Sequence, residues 1–261
     1  MSRQEPVTFE QGWQRRFRNF AELKDDDAGI AGWSANGLEC RLRNFSRLWR
    51  RRDSDPMWLD AGCGAGTYCR FLAANRMRVL GVDYSLLTLQ KAERRGTAGI
   101  SWTLGDVTRL PVKSGAFGGA LCFGVMQALA QSDLAVGELS RAVTPGGEVW
   151  IDALNAWCLP HIWERLSRAA RGVPMHLRYE YPGQLRRIMR AHGLTEVRIH
   201  WVPILPQRYQ RLQPLAESNI ARWILRWIPL AGALFSHAFI VHARRAGREK
   251  MTQGVEEHSI R

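Results

Sequence analysis

Short apolar runs alternate with longer amphipathic stretches along the chain between residues 57 and 155. This alternation is typical of a parallel β-sheet that is covered by helices on both faces. The pattern predicts five strands, at residues 57–61, 78–83, 100–104, 119–123 and 148–153. It also predicts helices between them, at residues 67–75, 85–95 and 133–143, the last one stopped by the Pro-Gly-Gly run at 145–147.

The strict alternation lapses after Asn155. The remaining pattern predicts a helix-rich insertion at 156–182, a helix at 183–192, a strand at 195–202 and a last strand, at the sheet edge, at 236–243. Residues 9–52 read as helical, and Pro56 marks the entry to the strand-rich part. The predicted fold class is therefore α/β, with a doubly wound, mostly parallel sheet of seven strands.

Composition narrows the class of protein further. The chain has 261 residues, 46% of them hydrophobic, which is enough for a substantial core. Its five cysteines are scattered and have no metal-binding spacing, so we expect neither a metal nor disulfides. The first sixteen residues contain no apolar run, and arginines interrupt the apolar segment 220–241. We therefore expect a cytoplasmic protein without a signal peptide or a membrane span.

A glycine-rich loop follows the first predicted strand, in the stretch WLDAGCGAGTYCRFL at 58–72. Three glycines at alternate positions let a ligand approach the main chain. As a dinucleotide fingerprint the spacing fails, because Thr67 stands where the last glycine is needed. Asp83 ends the second strand, where it can accept hydrogen bonds from a ribose, and Asp106 follows the third, where it can meet an adenine amine.

These elements, in this order, resemble the small-molecule branch of the class I S-adenosylmethionine (SAM)-dependent methyltransferases, similar to the quinone-biosynthesis type, over residues 57–154. The resemblance implies a Rossmann-like fold, with S-adenosyl-L-methionine as the cofactor. The chain divides into a helical segment at 1–55, which by analogy with that family would be a lid, a cofactor-binding core at 56–155 and a substrate-side insertion with the last two strands at 156–245. The polar tail at 246–261 has no structural signal and is expected to be disordered. The implied cofactor-binding residues are Asp60, Gly62, Cys63, Gly64, Gly66, Asp83, Tyr84, Asp106, Val107, Phe123 and Gly124.

The acceptor side has weaker signals. His161 follows the fifth strand and is our candidate catalytic base, with His176 as a second candidate. Gln127 and Tyr179 are the candidate substrate contacts, and no metal is expected. In the lid, Arg41 or Arg43 would meet the carboxylate of the cofactor. Each of these residues also has a purely structural interpretation.

The formal net charge of +13 comes mostly from arginine, since only four of the 37 basic residues are lysines. It reflects either an anionic partner or a bias of composition. Nucleic acid is disfavoured, because the Asn-Pro-Pro type of motif typical of base-amine methyltransferases is replaced by FGVM at 123–126.

Arginine is interleaved with large apolar residues in two stretches instead. Phe9, Trp13, Phe17 and Phe20 share a helical face, and 220–235 repeats the mixture. This favours an apolar or lipid-linked acceptor with a hydroxyl nucleophile, and peripheral contact with an anionic membrane. Packing of both stripes onto the core is the other interpretation. An RNA-modifying methyltransferase, a nicotinamide-dependent oxidoreductase and a catalytically inactive binding protein stay open as alternative functions.

Overall fold

The computed structural model describes residues 8–51, 57–96, 98–175, 177–228 and 230–247. The helices within these residues are α1 (Phe9–Leu23), α2 (Asp27–Ile30), α3 (Ala35–Leu48), α4 (Thr67–Ala74), α5 (Leu86–Arg94), α6 (Asp133–Ala142), α7 (Leu159–Ala170), α8 (Pro182–Ala191), α9 (Gln213–Ala216), α10 (Asn219–Trp227) and α11 (Ala231–Phe235). The strands are β1 (Trp58–Ala61), β2 (Val79–Asp83), β3 (Ile100–Leu104), β4 (Phe117–Cys122), β5 (Val143–Leu154), β6 (Leu194–Val202) and β7 (Ala238–Arg245). Short 3-10 helices form at Met126–Ala128 and Gln207–Leu212.

The seven strands form one sheet in the order β3-β2-β1-β4-β5-β7-β6. The first five are parallel, and β7 is antiparallel to both of its neighbours. This confirms the predicted fold class. Strand order reverses between β1 and β4, and a crevice forms outside the carboxyl ends of strands at such a point.

The prediction that the last strand lies at the sheet edge is wrong. β7 lies between β5 and β6, so β6 is the edge strand. The physical reason is visible in the burial of the two strands. Residues 238–241 of β7 are buried without interruption, as a strand covered on both faces requires, whereas β6 leaves Thr195, Glu196 and Arg198 exposed.

The start of β5 also differs from the prediction. α6 ends at Ala142, and β5 begins at once with Val143, which pairs with Phe117 of β4. The Pro-Gly-Gly run at 145–147 therefore lies inside the strand, where the register between β4 and β5 shifts. A bulge of this kind accommodates proline and glycine, because the extra residues leave the regular ladder of hydrogen bonds.

The predicted N-terminal helical region consists of α1, α2 and α3. The side chains of Thr8, Asp26 and Ser34 accept hydrogen bonds from main-chain N–H groups in the first turns of these helices. The lid–core boundary at residues 55 and 56 and the tail from residue 248 lie outside the described residues. No helix among the residues that the structure describes has the length and apolar character that crossing a membrane requires.

Candidate active site

A cavity of about 320 Å³ lies at the carboxyl ends of the parallel strands, beneath α1. Its floor is the loop after β1 and the ends of β2 and β3, and one wall is the segment after β4. The lining residues that belong to these elements are Gly62, Gly64, Asp83, Tyr84, Asp106, Val107, Thr108, Val125, Ala128 and Leu129. Six of the eleven predicted cofactor-binding residues are thus brought together around one cavity.

The glycines of the loop have different surroundings. Gly62 and Gly64 both have positive φ, +77° and +52°, a conformation that favours glycine. A Cβ atom at Gly62 would overlap the side chain of Val125, whereas one at Gly64 would meet no atom within 4 Å. Gly64 therefore presents bare main chain to open space on the cavity floor. Gly66 does not line the cavity, because it packs against the indole of Trp102.

Asp83 connects the end of β2 to the glycine loop. Its carboxylate accepts hydrogen bonds from the N–H of Gly64, at 3.0 Å, and from the N–H of Ser85, at 2.9 Å. Ser85, not Asp83, is the N-cap of α5, since its hydroxyl accepts from Thr88 N. Burial raises the pKa of Asp83, and the main-chain donors partly offset this. A hydrogen-bonded carboxylate at the cavity wall is suited to accept hydrogen bonds from ligand hydroxyls.

Asp106 lines the cavity beyond β3. One carboxylate oxygen accepts hydrogen bonds from both the N–H and the hydroxyl of Thr108, each at 2.7 Å. The residue is exposed, and Val107 beside it also lines the cavity. The turn therefore fixes the orientation of the carboxylate while leaving its second oxygen able to accept from a ligand amine.

The cavity is acidic although the chain is strongly basic. Glu10, Asp83 and Asp106 contribute three carboxyl groups, and none of the described lining residues is Lys, Arg or His. A cationic ligand group is favoured here by the three carboxyl groups.

The roof of the cavity is α1. Trp13 and Phe17 line the cavity, and Phe17 contacts the ring of Tyr84 edge-on, with 6.5 Å between centroids. The carboxylate of Glu10 accepts a hydrogen bond from Ala130 N at 2.7 Å, which attaches the helix to the segment after β4. The apolar face predicted at Phe9–Phe20 thus faces the protein, and Arg15, Arg16 and Arg18 are exposed. Of the two interpretations of this stripe, packing onto the protein is correct.

Three predicted cofactor-binding residues lie behind the cavity floor. Asp60 is buried, accepts a hydrogen bond from the Cys69 thiol at 3.1 Å, and has its pKa raised to about 7 by burial. Burial raises the pKa of the Cys63 thiol to about 11, so it is not a reactive thiolate. Phe123 packs against Tyr68, with 4.7 Å between ring centroids. These side chains support the floor, and none of them lines the cavity.

Gly124 lies beneath the ring of Trp33, two residues after the end of β4. Its N–H donates to the carboxylate of Asp152 at 2.5 Å, and the amide of Gln127 donates to its carbonyl at 2.7 Å. A Cβ atom at Gly124 would lie 2.6 Å from the indole of Trp33, so only glycine fits beneath this ring. Gln127 is buried and turned toward the main chain, which gives it a positioning role in this structure.

The arginines predicted to meet the cofactor carboxylate both form ion pairs within the protein. Arg41 is buried, donates to Asp152 at 2.6 Å, and lies 4.2 Å from the ring centroid of Trp33. Arg43 donates to Glu217 at 2.9 Å. Arg41 therefore fixes the wall around Gly124, and Arg43 holds α3 to the segment after β6.

His161 belongs to a buried histidine pair. Its Nδ1 lies 2.8 Å from the carbonyl oxygen of Asn155, which accepts only, so Nδ1 carries the proton. Its Nε2 then accepts from Nδ1 of His237, 2.9 Å away. This arrangement leaves Nε2 of His237 as the basic nitrogen of the pair. Burial lowers the pKa of both rings, that of His237 to about 3.

A second cavity, of about 360 Å³, lies between the segment 130–133 and residues 178–188. Tyr179 lines it, donates its hydroxyl to Glu164 at 2.8 Å, and contacts the ring of His161, with 4.5 Å between centroids. Arg178 also lines it and is paired with Glu180. The other candidate base, His176, lies outside the described residues.

Sequence reasoning missed Glu10, Asp152 and His237. Asp152 lies near the carboxyl end of β5, Glu10 on α1 and His237 just before β7, and the partner of each lies far away in the chain: Arg41, Ala130 and His161. No spacing in the sequence identifies these partners. Among the described residues, no three His, Cys, Asp or Glu side chains are grouped so that they could hold a metal ion.

The comparisons with known proteins agree with this geometry. Residues 59–151 match a family model described as a methyltransferase domain. The malonyl-[acyl-carrier protein] O-methyltransferase of Erwinia pyrifoliae is 31% identical over 115 residues, which are 43% of this chain and 44% of that protein. The ubiquinone/menaquinone biosynthesis C-methyltransferase of Rubrivivax gelatinosus is 29% identical over 109 residues, 39% and 43% of the two chains. The geranyl diphosphate C-methyltransferase of Streptomyces coelicolor A3(2), a crystal structure, has a TM-score of 0.62 and 17% identity, and the match covers 92% of this chain and 100% of that one.

The glycine loop after β1 and the acids at the ends of β2 and β3 lie within or beside the matched segment. Residues 59–151 form a methyltransferase domain of the class I, SAM-dependent type, and S-adenosylmethionine is the cofactor of such domains. The chain spans about half the length of the curated relatives it matches. The likeness therefore covers the domain and its cofactor, and leaves the acceptor open.

Proposed function

We propose that the protein transfers a methyl group from S-adenosylmethionine to a small apolar or lipid-linked acceptor, at a hydroxyl group. The observation that carries the proposal is the acidic cavity floored by Gly64. When bound, S-adenosylmethionine supplies an electrophilic methyl group on a positively charged sulfur. Three carboxyl groups without a cationic neighbour among the described lining residues suit such a ligand.

Each side of the cavity has a separate task in this proposal. Asp83 accepts hydrogen bonds from the ribose hydroxyls, Asp106 faces the adenine, and Gly64 lets the ligand touch the main chain. Trp13 and Phe17 cover the ligand and exclude water. Methyl transfer of this kind depends chiefly on aligning the acceptor with the methyl group and on excluding water. The site therefore does not need a set of strongly activated catalytic side chains.

The acceptor is proposed to reach Gly124 from the side of the histidine pair and Tyr179. His237 would receive the hydroxyl proton on Nε2, and His161 would act as a positioning residue that holds the tautomer. Burial lowers the pKa of both rings, so both stay neutral near pH 7; with a pKa of about 3, His237 is a weak base and would accept the proton only as the methyl group is transferred. In this proposal the base is His237, and not His161 as the sequence analysis predicts.

The relatives support a class of acceptor rather than one compound. Their names specify a malonyl group on acyl-carrier protein, ubiquinone/menaquinone biosynthesis and geranyl diphosphate. These names refer to small molecules or to a group attached to a carrier protein. The methylated atom differs between them: the first protein is an O-methyltransferase and the other two are C-methyltransferases.

Two measurements test the proposal. Calorimetric titration with S-adenosylhomocysteine and, separately, with NADH should show binding of the first only; binding of NADH alone would favour an oxidoreductase. Methyl-labelled S-adenosylmethionine, incubated with the protein and a cell extract, should then transfer label to organic-soluble small molecules. Label found only in RNA would support the RNA-modifying alternative, and cofactor binding without any transfer would support a binding protein.

A further inference from the structure

Exposed apolar side chains are concentrated in two segments of the chain. Among the described residues, sixteen of the twenty large apolar side chains that are exposed fall within 157–181 and 209–235. They include three tryptophans that are more than half exposed, Trp163, Trp223 and Trp227. Single exposed apolar residues are normal on a protein surface, but a concentration of this kind marks a contact surface.

The two segments lie at the same end of the sheet. The first follows the carboxyl end of β5, and the second connects the end of β6 to the start of β7. Because β7 is antiparallel to both β5 and β6, those two strands run in the same direction, and their carboxyl ends lie at the same end of the sheet. Asn155, two residues before the first segment, donates its side-chain amide to the carbonyl of Ala233 in the second segment, at 2.7 Å, and to that of Ser236 just after it, at 2.8 Å. We call the exposed faces of α7, α10 and α11 the apolar end surface.

The apolar residues of α10 point away from the protein. Ile220, Trp223, Ile224 and Trp227 recur at helical spacing, and all four are exposed. A helix that only covered a core would turn this face inward. α7 repeats the arrangement with the exposed residues Leu159, Trp163 and Leu166.

The charge of the same segments is positive. They contain seven arginines and three glutamates. The three glutamates accept hydrogen bonds within the protein: Glu164 from Tyr179, Glu180 from Arg178 and Glu217 from Arg43. Arg226 lies over the ring of Trp227, 5.3 Å from its centroid, so charge and apolar surface are adjacent.

We propose that the apolar end surface binds peripherally to an anionic lipid bilayer. Tryptophan and aliphatic side chains flanked by arginine are the composition of helices that lie in the headgroup region. The aliphatic residues favour lipid over single-stranded RNA, which would gain from stacking on tryptophan but not from contact with Leu166, Ile220 or Leu230. The surface lies at the end of the sheet that holds the cavity, so an apolar acceptor could pass from the bilayer toward the site.

Co-sedimentation with vesicles tests the proposal on the full chain. The protein should bind vesicles of phosphatidylglycerol and phosphatidylcholine, and bind vesicles of phosphatidylcholine alone weakly. Binding should fall when salt rises from about 0.1 M to about 1 M, because the Debye length shrinks from ~10 Å to ~3 Å. The double variant Trp223→Ser/Trp227→Ser should reduce binding about tenfold or more, since its apolar insertion is lost.

A matched control is the double variant Leu23→Ser/Leu86→Ser, which removes two exposed leucines outside the surface and should bind vesicles normally. Arg222→Gln/Arg226→Gln should lose mainly the salt-sensitive part of binding. Three results would overturn the proposal: no binding to anionic vesicles at low salt, equal losses in the tryptophan and leucine variants, or binding of an RNA oligonucleotide that vesicles do not displace. A fourth result that would overturn the proposal could come from sedimentation velocity without lipid: a dimer in the wild type that the Trp223→Ser/Trp227→Ser variant does not form. Titration with S-adenosylhomocysteine tests the cofactor site independently of lipid. It therefore distinguishes a failure of membrane binding from a failure of the proposed methyltransferase activity.

Discussion

The carboxylate of Asp83 accepts a hydrogen bond from the main-chain N–H of Gly64, so the end of β2 and the glycine loop after β1 are one unit. The same carboxylate is proposed to bind the ribose of the cofactor. We expect Asp83→Asn to weaken binding of S-adenosylhomocysteine by roughly tenfold to a hundredfold, since hydrogen bonds to a charged group contribute about 1.5–3 kcal/mol. Calorimetry measures the effect. An unchanged dissociation constant in a folded variant would contradict the assignment.

Gly64→Val tests whether the open space above the loop belongs to a ligand. The variant should abolish cofactor binding, because the added side chain enters the cavity. Gly115→Val is the control: Gly115 also has positive φ, +65°, and no atom within 4 Å of its Cβ position, but it does not line the cavity. Both variants should lose similar stability in thermal melts, and only the first should lose binding. Loss of binding in both would assign the effect to backbone strain.

Asp60 predicts a pH dependence of stability. Burial raises its pKa to about 7, from an ordinary value of 3.8, so the folded state favours the protonated form. The stability that it contributes is fully present below about pH 4 and is lost as the pH rises through about 7. The Asp60→Asn variant cannot ionise at this position. Its free energy of unfolding, relative to that of the wild type, should therefore increase by up to ~1.4 kcal/mol per pH unit over this range. Urea denaturation at several pH values measures the difference, and a constant difference would show that Asp60 ionises normally.

The histidine pair predicts a particular pH profile. His237→Ala and His161→Ala should each lower turnover about a hundredfold or more without changing cofactor affinity. Because burial lowers the pKa of both rings, the wild-type rate should show no acidic limb near pH 6.5. His200→Ala is the control, since burial lowers the pKa of this histidine too, to about 4, in a ring that stacks beside Trp150. Equal loss of stability in all three variants with normal turnover would make the pair structural.

The position of α1 gives a prediction opposite to a membrane role for that helix. Trp13→Ser/Phe17→Ser should weaken S-adenosylhomocysteine binding, because both rings cover the cavity. Arg15→Ser/Asn19→Ser, on the exposed side of the same helix, should leave it unchanged. Vesicle binding should be the same for the wild type and the tryptophan–phenylalanine variant. A loss of vesicle binding in that variant would show that α1 leaves the cavity.

Local pattern was sufficient for most of the fold and for two of the acids that line the first cavity. Strands β1, β2 and β3 and helices α4 and α5 lie within one residue of the predicted bounds, because each is a short apolar or amphipathic run with clear ends. Asp83 and Asp106 were predictable because they follow strand ends, and parallel strands bring these ends together.

Features that depend on distant partners were not predictable. The early start of β5 depends on pairing with β4 across the Pro-Gly-Gly run, a tertiary contact that overrides a local stop signal. The place of β7 depends on which strand it joins, and the apolar run at 238–241 does not specify this. Glu10, Asp152 and His237 are defined by partners that lie 76 to 120 residues away in the chain. Spacing along the sequence contains no record of these pairs.

The insertion of β7 between β5 and β6 has a consequence for synthesis. Among the strands that the structure describes, β6 pairs only with β7, which emerges from the ribosome after it. The half-sheet that supports α8, α10 and α11 therefore cannot assemble until residue 245 has been translated, whereas the first five strands can pair earlier. At about 5–20 residues per second, the nascent chain exposes the unpaired edge of β5 for several seconds. A chaperone that covers the unpaired edge of β5 would therefore act during this interval.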